Sequence, residues 1–241
     1  DKSLNCITSQ VTLDGSSATP GANISWTTSN GNIVSGSTTT TPVVNTPGTY
    51  IMTAQNPSLS SCVATDTVVV TLDLTAPIAN AGTDRALTCS EPSLSLSGSS
   101  PVSGATFSWT AINGGNIVTG ANTATPVVNA AGCYVLTVTN PANGCTGSDT
   151  MCVTMNIGAA TITASSMVNV ACFGGCDGAL TISASGGQAP YAYLWSNGST
   201  ATSITGLCAG GYTVTVTGSN GCSSTQSYQI SQPTPGLSST S

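Results

Sequence analysis

Histidine is missing from this chain of 241 residues, and positive charge nearly so, since Lys2 and Arg85 are its only basic side chains. Without an imidazole there is no Ser-His-Asp or Cys-His nucleophile, and no histidine to share a structural zinc site. Two cations cannot neutralise a row of phosphates, which excludes nucleic acid as a partner. Charged residues are 4% of the sequence, against about a quarter in an ordinary globular protein. The net charge of -6 is small, and polarity comes from Ser, Thr, Asn and Gly, so this is no charge-driven disordered tail. No apolar run approaches the ~18 residues of a membrane span, and no stretch of ten or more residues has helical periodicity. Membrane insertion is not expected. The acids are Asp1, Asp14, Asp66, Asp73, Asp84, Glu91, Asp149 and Asp177. A carboxylate pair for glycoside hydrolysis stays formally open among them, but no pattern places two in a cleft, and no enzymatic activity is expected.

Cysteine, by contrast, is abundant: ten residues, alongside 27 glycines and 12 prolines. An even number in a chain rich in β-branched residues and turn formers favours disulfides, and with them an oxidising, extracellular location.

The chain repeats itself. DKSLNC (1 to 6) recurs as DRALTC (84 to 89), ISW (24 to 26) as FSW (107 to 109), NGNIVSG (30 to 36) as NGGNIVTG (113 to 120), and TPVVNTPGTY (41 to 50) as TPVVNAAGCY (125 to 134). Beyond residue 158 the likeness is faint. Even there Trp195, then Gly210-Gly211-Tyr212, then Asn220-Gly221-Cys222 keep the order Trp, Gly-x-Tyr, Cys of the first two units. Within each unit VTLDG, NISWTT, TYIMTAQN and VVVTLDL alternate apolar and polar residues at period two, separated by Gly, Pro, Asn and Ser clusters. The expected fold class is all-β, with three tandem Ig-like/PKD-like antiparallel β-sandwich modules at 1–75, 76–157 and 158–233, and residues 234–241 opening a further one. These are not antibody-like domains in the strict sense. Tyr50 and Tyr134 precede Cys62 and Cys145 by far more than two residues, so the second Cys falls in the hairpin after the Tyr-bearing strand, and Trp and Tyr read as core anchors.

The internal copy guides cysteine pairing. If each unit is self-contained, Cys6 pairs with Cys62 and, by correspondence, Cys89 with Cys145. Cys133 and Cys152 stand where unit one has Thr49 and Val69; absent together there and symmetric about the turn at 139–148, they are expected to form a cross-strand bridge. By analogy Cys172 pairs with Cys222, leaving Cys176 for Cys208. The stretch CFGGCDG (172 to 178) is the best chemical candidate in the chain, as a redox or zinc pair. A redox dithiol is usually C-x-x-C at a helix start, and zinc wants four ligands in two close pairs. Cys208 and Cys222 lie singly, so the disulfide reading is preferred. LDGSS at 13 to 17 looks like a calcium-ligand turn, but its copy LSGSS at 96 to 100 lacks the acid. No cofactor is expected, with calcium the one weighed.

Residues 172–233 carry C-F-G…D-G, P-Y-x-Y-x-W-S-N-G (190 to 198), I-T-G-L-x-A-G-x-Y-T-V-T-V (204 to 216), N-G-C and a terminal I-x-Q-P. In these motifs the segment resembles the SprB repeat of Bacteroidota surface adhesins. Gly218 stands where many such repeats have Asp, which leaves little acidic character for calcium. Units one and two resemble more loosely the PKD-like, immunoglobulin-like repeats of the same large proteins. The resemblance implies a long, type IX-secreted cell-surface protein whose modules form a stalk or filament for gliding, attachment or prey capture. On that reading these residues are an internal window of a longer array, acting as spacer and mechanical element. Self-association in a homo-oligomeric fibre, or contact with neighbouring repeats, is then expected. Asp66-Thr67-Val68 and Asp149-Thr150-Met151 resemble the O-glycosylation sequon of such exported proteins, at Thr67 and Thr150. The rival is a glycan- or host-surface-binding module, for which Tyr191, Tyr193 and Trp195 form the one aromatic cluster available.

Overall fold

The computed structural model describes residues 1–235, so the closing part of the 234–241 segment lies outside the described residues. Short strands punctuated by turns build every unit. Unit one contains β1 (Lys2–Asn5), β2 (Val11–Thr12), β3 (Asn23–Thr28), β4 (Ile33–Ser35), β5 (Val43–Val44), β6 (Gly48–Gln55) and β7 (Val63–Asp73). They form a four-stranded sheet, β1-β7-β6-β3, facing a three-stranded sheet, β2-β5-β4. Unit two repeats the plan with β8 (Arg85–Thr88), β9 (Leu94–Ser95), β10 (Thr106–Ile112), β11 (Ile117–Thr119), β12 (Val127–Val128), β13 (Gly132–Thr139) and β14 (Thr146–Asn156), in sheets β10-β13-β14-β8 and β11-β12-β9. Unit three has β15 (Thr161–Val168), β16 (Gly178–Ser185), β17 (Tyr191–Trp195), β18 (Ser203–Leu207), β19 (Gly210–Gly218) and β20 (Ser223–Ile230), in sheets β15-β16-β18 and β17-β19-β20. No helix occurs among the described residues.

Period-two alternation does what it should: along β13 every second residue, Tyr134, Leu136 and Val138, is buried. Three separate buried clusters result, around Trp26 and Tyr50, around Trp109 and Tyr134, and around Trp195 and Val214. The anchors recur with their hydrogen bonds. The indole Nε1 of Trp26, Trp109 and Trp195 donates to the carbonyls of Thr39, Thr123 and Ala201 at 2.9, 3.1 and 2.8 Å. The hydroxyls of Tyr50, Tyr134 and Tyr212 each donate to the carbonyl four residues upstream, at Thr46, Ala130 and Cys208. That is the tyrosine corner of immunoglobulin-like sandwiches.

One feature of units one and two departs from a plain antiparallel reading, and it decides the cysteine chemistry. The first strand runs parallel to the last, with Lys2 opposite Val70 and Asn5 opposite Asp73, and likewise Arg85 opposite Val153 and Thr88 opposite Asn156. The residue that follows β1 or β8 is thereby delivered to the end of the sandwich where the chain leaves for the next unit. Asp1 and Asp84 lock this pairing, accepting from the amides of Val69 and Cys152 at 3.2 and 2.7 Å.

Candidate functional site

The parallel first strand overturns three of the expected bridges. Cys6 lies just past the end of β1, level with the exit end of β7, whereas Cys62 precedes the first residue of that strand. The ends of β7 are about 33 Å apart at about 3.3 Å per residue, and a disulfide needs Cα atoms within about 7 Å. A Cys6–Cys62 bridge is therefore geometrically closed, and Cys89–Cys145 fails by the same argument across β14. Instead Cys6 is bridged to Cys145, and Cys89 to Cys222, with Cα–Cα distances of 5.0 Å in both. Each bond joins one unit to the next. The expected Cys172–Cys222 pair is consequently absent, and Cys62 and Cys172 are exposed free thiols. Cys133 and Cys152 are directly opposed on β13 and β14 and are bridged, as are Cys176 and Cys208. CFGGCDG thus holds one bridged and one free cysteine. Among the described residues no group of three or more acidic, Cys or His side chains is placed to hold a metal.

The two junctions are built alike around Asn-Gly-Cys. Asn143 and Asn220 are the buried polar side chains among the described residues, 2% and 3% exposed. A buried amide is costly unless its donors and acceptor are used, and here they clasp the linker. The Asn143 amide donates to the carbonyl of Thr75 at 3.0 Å, and its Oδ1 accepts from the amide of Cys145 at 3.0 Å. Asn220 donates to the carbonyls of Gly158 and Asn156 at 2.9 and 3.2 Å and accepts from Cys222 at 3.2 Å. The Asn backbone carbonyls reach across the junction to accept from the amides of Cys6 and Cys89 at 3.2 and 3.1 Å. The glycine between matters for space as well as for its positive φ. A Cβ on Gly144 would collide with Ile7, and one on Gly221 with Ser90, the residues that follow the bridged cysteines.

The linker into unit two is fixed at both ends. Asp149 Oδ2 accepts from the amide of Ala81 at 2.8 Å, and Asn80 pairs with Ser99 through both backbone bonds. On the other side Asp73 accepts from the amide of Thr75 at 3.0 Å. That backbone bond, then the Thr75 hydroxyl and the Asn143 amide, holds the Asp73 carboxyl below its ordinary value of 3.8.

The remaining sequence candidates separate cleanly. Trp195 is 2% exposed and spends its N–H on Ala201, so it is a core residue and not a ligand contact. Tyr191 and Tyr193 are half-buried against the same cluster, and the Tyr191 hydroxyl donates to the carbonyl of Gly186. Thr67 and Thr150 lie exposed on β7 and β14. Asp14 of the LDGSS turn pairs with Lys2 at 2.9 Å. The signal that marks the junctions was present in the sequence, as Asn-Gly ahead of Cys145 and Cys222 but Ser60-Ser61 ahead of Cys62.

Compared with known proteins, residues 164–200 match the family model described as SprB repeat. No curated protein sequence matches the chain. Among solved structures the chain is similar to three immunoglobulin domains of titin, at 13% identity, covering 97% of this chain and 95% of that one with a TM-score of 0.41. It is also similar to the eight N-terminal immunoglobulin domains of Down syndrome cell adhesion molecule, at 13% identity, 92% and 39% coverage and a TM-score of 0.42. A third similarity is to three N-terminal domains of the Hoc outer capsid protein of bacteriophage RB49, at 11% identity, 92% and 93% coverage and a TM-score of 0.37.

Proposed function

We propose that this chain is a covalently interlocked spacer, a structural segment of an extracellular surface filament or adhesin, with no catalytic role. The observation that carries it is the direction of the disulfides. Bridges within a unit would stabilise that unit; Cys6–Cys145 and Cys89–Cys222 stabilise the relation of one unit to the next. Bonds that fix the relation of one unit to the next suit a stalk that must transmit position or load. The SprB repeat match supports a setting on the surface of a Bacteroidota cell, with type IX secretion and a part in gliding, attachment or prey capture. Disulfide chemistry supports the oxidising compartment. O-glycans at Thr67 and Thr150 would add bulk to exposed strand faces without touching the junctions. Calcium has no part in this reading.

The free thiols at Cys62 in unit one and Cys172 in unit three provide the test. Donor and acceptor dyes attached there report the distance across both junctions in single molecules. A spacer gives one narrow distribution that broadens when the paired substitutions Cys6→Ser with Cys145→Ser and Cys89→Ser with Cys222→Ser remove the bridges without freeing further thiols. Equal breadth with and without the bridges defeats the spacer reading. Saturable binding on a glycan array, lost in Tyr191→Ala, would favour the glycan-binding alternative.

A further inference from the structure

The two unbridged cysteines occupy the two halves of a junction. Cys172 follows the first strand of its unit, as Cys6 and Cys89 do; Cys62 closes the hairpin between β6 and β7, as Cys145 and Cys222 close theirs. The hairpin bonds agree: Asn56, Asn140 and Gly218 donate through their amides to the carbonyls of Cys62, Cys145 and Cys222 at 3.0, 2.9 and 2.9 Å. Both internal equivalents of each cysteine are bridged. An independent feature marks the unit-one end as a contact surface. A surface groove of about 410 Å³ lies against Cys62, walled by Thr19, Ala22, Gln55 and Ala64, with exposed Leu59 and Val63 beside it. At the other end Phe173, next to Cys172, is 56% exposed. It holds the position from which Ile7 and Ser90 pack onto the neighbouring unit at the internal junctions. The ends are not identical to an internal junction. Ser60 and Ser61 replace the clasping Asn-Gly, so the groove rather than an amide clasp supplies the contact area.

We propose that Cys172 of one copy of this chain bonds to Cys62 of a second, extending the internal staple pattern head to tail. Such a heterologous contact leaves a free half-junction at each end of a linear multimer, so it can be extended chain by chain into an open filament. Two thiols lose two protons and two electrons as the S–S bond forms; a small-molecule disulfide such as oxidised glutathione takes them and leaves as two thiols. The inference rests on the spacer reading for its meaning, but fails separately from it, because dye distances within one chain do not depend on whether chains join.

The test is incubation of the 241-residue chain, its four bridges formed, with a glutathione redox buffer, read by non-reducing electrophoresis and mass spectrometry of linked peptides. The expected result is a ladder of multimers in which the Cys172–Cys62 peptide exceeds either symmetric pair by at least about tenfold, the ratio that about 1.4 kcal/mol of contact preference carries. Mixing Cys62→Ser with Cys172→Ser should give one heterodimer and nothing longer. Because both side chains are exposed, these variants fold. Linked peptides in random proportion, or glutathione capping of both thiols without multimers, overturn the proposal.

Discussion

Pulling the chain from its two ends puts a length on the bridge pattern. With all four bonds formed, the covalent path crosses from residue 6 to 145 and from 176 to 208, leaving residues 1–6, 145–176 and 208–241 to extend. That is about 70 residues, so the oxidised chain should stop lengthening at about 240 Å, against about 820 Å after full reduction, at about 3.4 Å per residue. Force spectroscopy with handles at both termini reads this directly. Two variants sharpen it. Cys6→Ser diverts the path along residues 1–89 and across to 222, so the limit should rise to about 360 Å, whereas Cys62→Ser should change nothing. If the bridges ran within units instead, Cys62→Ser would release residues 1–89 and raise the limit to about 460 Å. That result would refute the junction geometry and the parallel-strand argument beneath it.

Three further outcomes follow from the junctions and corners. Asn220→Ala strands the carbonyls of Asn156 and Gly158 and the amide of Cys222, and should cost about 1–3 kcal/mol in urea unfolding while leaving the Cys89–Cys222 bond intact. Tyr134→Phe removes a buried hydroxyl that donates to Ala130 at 2.7 Å and accepts from the amide of Asn116 at 3.0 Å; a loss of about 1–3 kcal/mol, seen as a lowered urea midpoint, is expected. Asp73 has its folded-state pKa depressed below 3.8, so its contribution is complete above that value and disappears as pH falls through the lower folded-state value. Asp73→Asn should flatten that limb of a urea-midpoint profile taken from pH 5 to pH 2, and an unchanged profile would remove Asp73 from the junction's electrostatics.

The sandwiches were legible because their determinants are local. Alternation along β6 and β13, the Trp and the Gly-x-Tyr corner all act within one unit, and each recurs in the next. Cys133 and Cys152 were readable for the same reason, lying on one hairpin whose spacing sets their register. The junctions were not. Self-alignment matches Cys6 to Cys89 and Cys62 to Cys145, and it fits bonds within a unit as well as bonds displaced by one unit. The direction of β1 against β7 separates the two, and four residues, Lys2–Asn5, carry no sign of it; the one trace in the sequence is Asn-Gly ahead of Cys145 and Cys222 but not ahead of Cys62. Trp195 shows the opposite limit. An aromatic cluster in sequence says nothing of which side of the sheet it faces, and Trp195 faces in.

The stagger of the two long bonds also determines what a broken backbone does. Cys6–Cys145 spans the linker between the first two units, and Cys89–Cys222 spans the next, with the two loops overlapping from 89 to 145. A single peptide bond cut anywhere between residues 6 and 222 leaves both fragments tied together, including cuts in the linkers that join the sandwiches. Bonds confined to their own units would leave each linker a point of severance. A protease that nicks this chain once within that span should therefore release no fragment, and two cuts on opposite sides of the overlap are survivable as well.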